Sequence, residues 1–420
     1  MTGCKKHIAI DFGSSSVRVM LIESDSTFQE LYRFSHSPVL IGGTYRWDVE
    51  NLFLHVKTAI DTTLEKQKIS SIGICSWGVD YGLIRSDGTL LDLPISYRDS
   101  RTEKIIDGSD LKRAFFKSGI YPLKINTNFQ LMADLKEGRY NIDDNLKFVM
   151  MADLFAYYLT GKIFVEQTNA STTGLLSLTG KSWDYNLIKE VGLKKEMFPE
   201  LIYPGELIGK YKGVDVLAVC SHDTASAIHA MDGLDEETVF ISSGSWVLIG
   251  VVLKEPLVTE EVFNSNFTNE RGYGNSVLLL NNMNGLFVIQ RLVAENKELT
   301  YKEIDKNIGS AKNLGRLNLM ALDKPSDMKT QMLNQLGLVD ADLFDLAKTF
   351  YDALIQEIRD KIHLIEKLTC RTITKITLTG GLSKVPYVME KLQNLYPNGI
   401  KISSNEGAIV GIAKILNSHH

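Results

Sequence analysis

Cysteine is scarce in this chain, with four in 420 residues. Cys4, Cys75, Cys220 and Cys370 stand far apart, and there is no C-x-x-C and no His/Cys group at zinc-ligand spacing. A zinc module and a disulfide scaffold are therefore excluded. A reducing, cytoplasmic compartment is expected, although two of the cysteines could still meet in the fold. No apolar run approaches the roughly 18 residues of a membrane span, so none is expected. Lys5 and Lys6 precede an apolar stretch, but Asp11 interrupts it too early for a secretory signal. Basic residues are not in excess, with 46 Lys and Arg against 51 Asp and Glu. Nor are they clustered, so no nucleic-acid partner is expected. Low-complexity linkers are absent too. His419-His420 reads as a tag remnant and carries no argument.

What is present is globular, 44% hydrophobic and 23% charged. At roughly 100–200 residues per domain, two large or three small domains are expected. The opening predicts a hairpin: a β run at 7–11, a Gly/Ser turn at Phe12–Ser16 and a second run at 17–23. A helix over 48–66 follows from Val49, Leu52, Val56, Ile60 and Leu64 on one face. Strands are predicted at 70–75 and 79–85, with a turn at Asp87-Gly88. A buried helix is predicted at 146–159, ending at Gly161, and strand 215–220 leads into a helix at 223–231. The opening pattern then returns as a β run at 239–242, a turn at Ser243-Gly244-Ser245 and a run at 246–252. This weak duplication predicts two related α/β domains, 1–234 and 235–420, packed closely around a cleft. A long helix at 341–368, strand 374–378, Gly380-Gly381, helix 384–395, strand 400–403 and helix 406–416 complete the pattern.

Several residues suit phosphate chemistry. In Asp11-Phe12-Gly13-Ser14-Ser15-Ser16, glycine permits close backbone approach and the serines offer donors. Asp11 at a strand end suits Mg²⁺ held through water, and Arg18 adds positive charge. A plain hairpin with a solvated Asp fits this stretch equally well. The second turn, Ser242–Ser245, tips the balance, because two such turns facing each other would clamp a triphosphate. The near P-loop from Gly174 to Gly180-Lys181-Ser182 has one residue too many between its glycines and is read as a loop. In Cys220-Ser221-His222-Asp223, the carboxylate stands where a strand meets a helix. It would either cap that helix or act at the strand's C-terminal end, where α/β ligands bind. The residues leave both open. A Ser-His-Asp triad is implausible for three consecutive residues, and so is a metal on His222 alone. Trp77–Asp80 and Tyr97–Thr102 mix aromatic and polar groups as sugar sites do, but a surface ion-pair loop is the simpler reading.

Taken together, AIDFGSSSVRVMLIE, SIGICSWGVDYGLI, LPISYRDSRT, MADLFAYYLTGK, TNASTTGLLSL, AVCSHDTASA, ISSGSWVLIG, NNMNGLFVIQRL and ITLTGGLS resemble the FGGY carbohydrate kinases, and within them the rhamnulokinase branch. They span nearly the whole chain in family order. The resemblance implies two ribonuclease H-like domains of the actin-like ATPase and sugar kinase type, with an interdomain cleft. It implies ATP and Mg²⁺, a small sugar substrate, and transfer of a phosphoryl group to the primary hydroxyl of a ketose, L-rhamnulose foremost. Asp223 is then the general base, and Asp11 and Asp223 lie near Mg²⁺. Ser14, Ser15, Ser16, Val17, Arg18, Ser245, Gln290 and Gly381 contact ATP. Gly78, His222, Asp223, Thr224 and Asn282 contact the sugar. Three positions depart from the pattern. Val17 replaces a small residue, Cys75 an aspartate, and Leu382 the third glycine of a Gly-Gly-Gly turn. L-fuculose, xylulose or a non-catalytic ATP-binding role are the alternatives.

Overall fold

The computed structural model describes residues 5–24, 27–322, 327–397, 399–404 and 406–419, so Cys4 and His420 lie outside the described residues. The opening hairpin forms as β1 (His7–Phe12) and β2 (Ser16–Ser24), antiparallel, with Phe12 opposite Val17. Strand alternation splits it between two cores. Ile8, Ile10, Phe12, Val17, Val19 and Leu21 face one, while Ala9, Met20 and Ile22 face another. β3 (Thr27–Ser35) pairs antiparallel with β2. Helix α1 (Val49–Lys66) then crosses over, with the Asp48 side chain capping the Asn51 N–H and Val49, Leu52, Val56 and Ile60 buried. It delivers β4 (Ser71–Ser76), which lies parallel to β1 with Cys75 beside Asp11. β5 (Leu207–Tyr211) and β6 (Val214–Leu217) complete the sheet, in the order β5-β6-β4-β1-β2-β3.

The helix expected at 146–159 begins later than its apolar run. Lys147–Met150 is a strand paired with Tyr81–Ile84, and only Met151–Thr160 is helical (α2). Phe148 and Met150 enter one core and Val149 another, so the run hides a switch from period two to period 3.6. Gly161 ends α2 at φ 68°. The strand expected at 79–85 starts at Tyr81 because Val79 has φ 65°.

After α3 (Asp223–His229) the arrangement repeats. β7 (Thr238–Ser243) and β8 (Trp246–Leu253) form the second hairpin. The edge strand β9 (Thr268–Arg271) and β10 (Val277–Asn284) pair beside β8. Helices α4 (Phe287–Glu295) and α5 (Leu343–Thr369) precede β11 (Lys375–Gly380), which runs parallel to β7. α6 (Pro386–Leu395), β12 (Ile400–Ile402) and α7 (Gly407–Ser418) follow. The sheet order is β9-β10-β8-β7-β11-β12. Setting aside β5 and β9, both sheets have their first strand at the centre. The second and third strands meander to one side, and two parallel strands lie on the other.

Helices α3 and α7 pack between the sheets. Ala9, Cys75 and Leu217 from the first sheet share a core with Phe240, Leu278 and Leu280 from the second. Ile228 of α3 and Ile409, Ile412 and Leu416 of α7 belong to it too. The two helices touch through small residues. The Ser226 hydroxyl donates to Ala408 O at 2.8 Å, and a Cβ on Gly411 would lie 1.9 Å from Ser226 O. No helix among the described residues is long and apolar enough to cross a membrane.

Candidate active site

Parallel pairing sets the site. The ends of β1 and β4 lie side by side, and the Ser76 N–H donates to Ser221 O at 2.8 Å. Asp11, Cys75, Gly78 and the 221–223 segment thus meet at the C-terminal edge of one sheet, where α/β folds bind ligands. Asp11 is buried. It accepts the Arg18 guanidinium, and the Cys75 thiol donates to its Oδ1 at 3.5 Å. The other side of Arg18 donates to Glu406, just before α7. The positive charge expected for phosphate is here spent on two carboxylates. Burial pushes the Cys75 thiol up.

Asp223 is the first residue of α3, not its cap. His222 holds the cap position and makes no side-chain cap bond. The Asp223 Oδ1 instead accepts the Thr224 N–H at 2.6 Å. One third of its side chain is exposed, and it lies close enough to Asp11 to feel that charge. Burial pushes its carboxyl up to about 6; His222 opposes this and the charge on Asp11 adds to it. Such a value suits a group that must hold and release a proton near neutrality.

The loop carrying Asp223 is anchored from below by Glu166. This buried carboxylate accepts the Ser221 N–H at 2.9 Å and the Ser221 hydroxyl at 2.8 Å, along with the N–H groups of Thr168 and Asn169. The Ser221 hydroxyl is thereby committed to Glu166, which fits the rejection of a triad. His222 Nε2 lies 3.5 Å from Asp223 Oδ1, and its Nδ1 lies 3.4 Å from Glu270 Oε2 on β9. Burial works against a charge on this ring, yet the two carboxylates hold its pKa above the ordinary value.

Gly78 and Val79 form the neighbouring wall. A Cβ on Gly78 would lie 3.1 Å from His222 Nε2 and 3.0 Å from Thr172. Val79, a β-branched residue in left-handed backbone, is held by its neighbours. Its N–H donates to the Thr172 hydroxyl at 3.0 Å, and its carbonyl accepts from Thr127 at 2.7 Å and Gln130 at 3.2 Å. Asp80 is no surface residue. It accepts both indole N–H groups, from Trp47 at 2.6 Å and Trp77 at 3.0 Å, and burial pushes it up to about 6. The Arg101 side chain is buried too, donating to Asp134 at 2.8 Å and Gln130 at 2.7 Å. The simpler reading of 97–102 as a surface ion-pair loop fits the exposed Arg98 and Ser100 but not Arg101, whose ion pair with Asp134 lies inside the first lobe.

Both Gly/Ser turns are tight. The Gly13 N–H donates to Ser16 O at 2.9 Å and the Gly244 N–H to Trp246 O at 2.8 Å. Ser14 and Ser16 are half-buried, Ser15 exposed, and Val17 buried in the core. In the second lobe, Ser243 ties its turn to Gly380, donating to Thr379 O at 2.6 Å and accepting the Leu382 N–H at 3.0 Å. Gly380, at φ 88°, leaves no room for a Cβ beside Ser243 O. Ser245 Oγ and Gln290 Oε1 lie 3.5 Å apart, and Gly381 faces Leu286, one turn before Gln290. Ser245, Gln290 and Gly381 are thus gathered around one turn. Asn282 shares a strand face with Leu278 and Leu280, and its Oδ1 is buried without a hydrogen-bond partner. Just before α7, Glu406 binds Arg18 of β2, and Ser404 O accepts from Thr379 of β11.

Glu166, Glu270, Gln130, Asp134 and Thr172 escaped the sequence reading. They reach the site from elements remote in sequence, and no local spacing marks them. Cys75, Cys220 and Cys370 are free thiols. The 174–182 stretch is a loop closed by a Leu176–Trp183 bridge.

Residues 7–245 match the N-terminal domain of the FGGY family of carbohydrate kinases. The fold is similar to that of a ligand-bound xylulose kinase from Lactobacillus acidophilus, with TM-score 0.79 and 18% identity, over 99% of this chain and 90% of that one. It is also similar to a gluconate kinase from the same organism, with TM-score 0.79 and 18% identity over 99% and 89% of the two chains. A glycerol kinase from Plasmodium falciparum, solved with ADP, gives TM-score 0.80 and 16% identity over 98% and 89%. With its family match over more than half its length and two ribonuclease H-like domains built alike, the chain belongs to the FGGY family of carbohydrate kinases.

Proposed function

We propose that this protein is an ATP-dependent ketose kinase with Asp223 as general base, and that its substrate is L-rhamnulose, phosphorylated on the C1 hydroxyl. The observation carrying this reading is the Asp223 carboxyl. It is raised to about 6, partly open to solvent, and set beside Asp11 at the end of the central strands. Asp223 would accept the proton of the sugar hydroxyl as that oxygen attacks the γ-phosphorus of ATP, and the bond to the leaving ADP oxygen would break in line. His222, Gly78, Thr224 and Asn282 would orient the sugar. The free Asn282 carbonyl oxygen suits a hydroxyl donor. Residues 14–16 and the Ser245, Gln290 and Gly381 group would hold the nucleotide from the two lobes, while the Val17 side chain stays in the core and Arg18 braces Asp11 and Glu406. A domain boundary at 234/235 would separate α3 from β7, with α7 packing back onto the first lobe.

Asp11 and Asp223 are two acidic groups close enough to feel each other's charge, a donor set that fits Mg²⁺ held largely through water and phosphate. When bound, the ion would neutralise charge on the phosphates. The sugar preference rests on the Trp77–Asp80, Tyr97–Thr102 and Ser221–Ala227 segments and their resemblance to rhamnulokinases. A coupled ATP-consumption assay over L-rhamnulose, L-fuculose, D-xylulose and glycerol tests it. Preference for D-xylulose would replace the substrate assignment, and no turnover with any acceptor would favour a non-catalytic ATP-binding role.

A further inference from the structure

Glu270 belongs to the second lobe, yet it points at the first. It lies on β9, whose outer edge is docked across the boundary between lobes. The Asn269 N–H donates to Gly119 O at 3.0 Å, the Arg271 N–H donates to the Ser171 hydroxyl at 2.9 Å, and the Thr268 hydroxyl accepts the Tyr121 N–H at 3.1 Å. Strand alternation turns Glu270 into the interior, where it is 9% exposed. Its Oε2 and the Nδ1 of His222 are both buried and both lack a hydrogen-bond partner, yet they face each other at 3.4 Å. The opposite ring nitrogen of His222 faces Asp223 and Gly78. The His222 backbone is already fixed, because its N–H donates to the Thr168 hydroxyl at 3.2 Å. Only the ring remains to be oriented.

We propose that Glu270 is a positioning residue that takes the Nδ1–H of His222 and holds the ring with Nε2 toward the sugar and Asp223. The inference rests on the kinase reading for its catalytic consequence, but not for the contact itself. A buried imidazole is aimed by whatever its second nitrogen binds, and two buried polar atoms left unmade cost more than a shift of a few tenths of an ångström. Because the carboxylate comes from the second lobe and the imidazole from the first, the ring is correctly set only while β9 is docked. Sugar recognition is thereby tied to the arrangement of the lobes.

The test uses Glu270→Leu, which keeps bulk and removes the acceptor, together with His222→Asn and the double variant. In the full-length protein with ¹⁵N-labelled histidine, long-range ¹H–¹⁵N spectra are expected to show His222 protonated on Nδ1, and Glu270→Leu to lose that signature. A wild-type ring with bare Nδ1 overturns the proposal even if no ketose is turned over. In the assay, Glu270→Leu should lower kcat/KM for the sugar about 10–100-fold, as removal of an orienting partner does elsewhere. The KM for ATP should be unchanged. That loss should vanish in the His222→Asn background, since Glu270 acts through His222. Losses that multiply independently overturn the proposal. Equal thermal stability of Glu270→Leu and wild type separates this outcome from misfolding.

Discussion

At Asp223, function and stability pull in opposite directions. Its folded-state pKa of about 6 stands above the ordinary carboxylate value, so the folded protein binds the proton more tightly than the unfolded chain. Ionising it therefore lowers stability as pH rises from about 4 to 6. Without nucleotide or metal ion, Asp223→Asn should melt at or above wild type at pH 7.5, and the gap should close below about pH 4. A wild-type protein with the higher melting temperature at pH 7.5 would contradict the geometry. The same substitution should lower kcat by about 100–10,000-fold, the usual worth of a positioned base. In wild type, kcat/KM should rise through about pH 6 to a plateau, because the base must be ionised. Near-normal turnover of Asp223→Asn would remove the base assignment. Asp11 and Asp223 stood out in the sequence as candidates because each lies at or just past the end of a recognisable apolar run, although the base role of Asp223 came only from the family resemblance. Glu166 and Glu270 were not, because a carboxylate tells nothing of its role until its partners from other elements are placed.

Among the elements, α3 and α7 set the tightest tolerance. Gly411 has no space for a side chain, since its Cβ would fall against Ser226 O. Gly411→Val should destabilise by about 1–3 kcal/mol, the typical result of overpacking. Chemical denaturation should show a lower midpoint, and an unchanged midpoint would mean the helices are not held this closely. The hairpins and long helices were read correctly because each keeps one period over its length. The error at 146–159 has the opposite cause. Strand 147–150 and α2 abut without a turn residue, and both are apolar on every side that matters, so hydrophobicity alone cannot show where the period changes. Val79 marks a second limit. Its left-handed backbone is imposed by Thr172, Thr127 and Gln130, and nothing in a valine's own preference predicts it.

On the scale of the molecule, two sheets of like order share a core, and duplicated chemistry does not follow duplicated architecture. Where α3 opens with Asp223, α7 opens with Gly407 beside Ala227, and the acid that precedes it, Glu406, is paired with Arg18. The repeat of β run, Ser/Gly turn and β run was visible in the sequence. That the helices closing each half would meet was not, since the residues involved are small and unremarkable alone. With α7 packed on strands of the first lobe, calorimetry should give a single unfolding transition. Two well-separated transitions would show that the lobes melt apart. The same packing constrains how the chain is made. Gly73 leaves a hollow on β4 that Val219 and Ile412 fill, and Ala9 and Cys75 share that face. During synthesis these strands leave the ribosome long before residues 407–418. The nascent first half then carries that apolar surface uncovered until its missing helix emerges, the kind of exposure that favours aggregation.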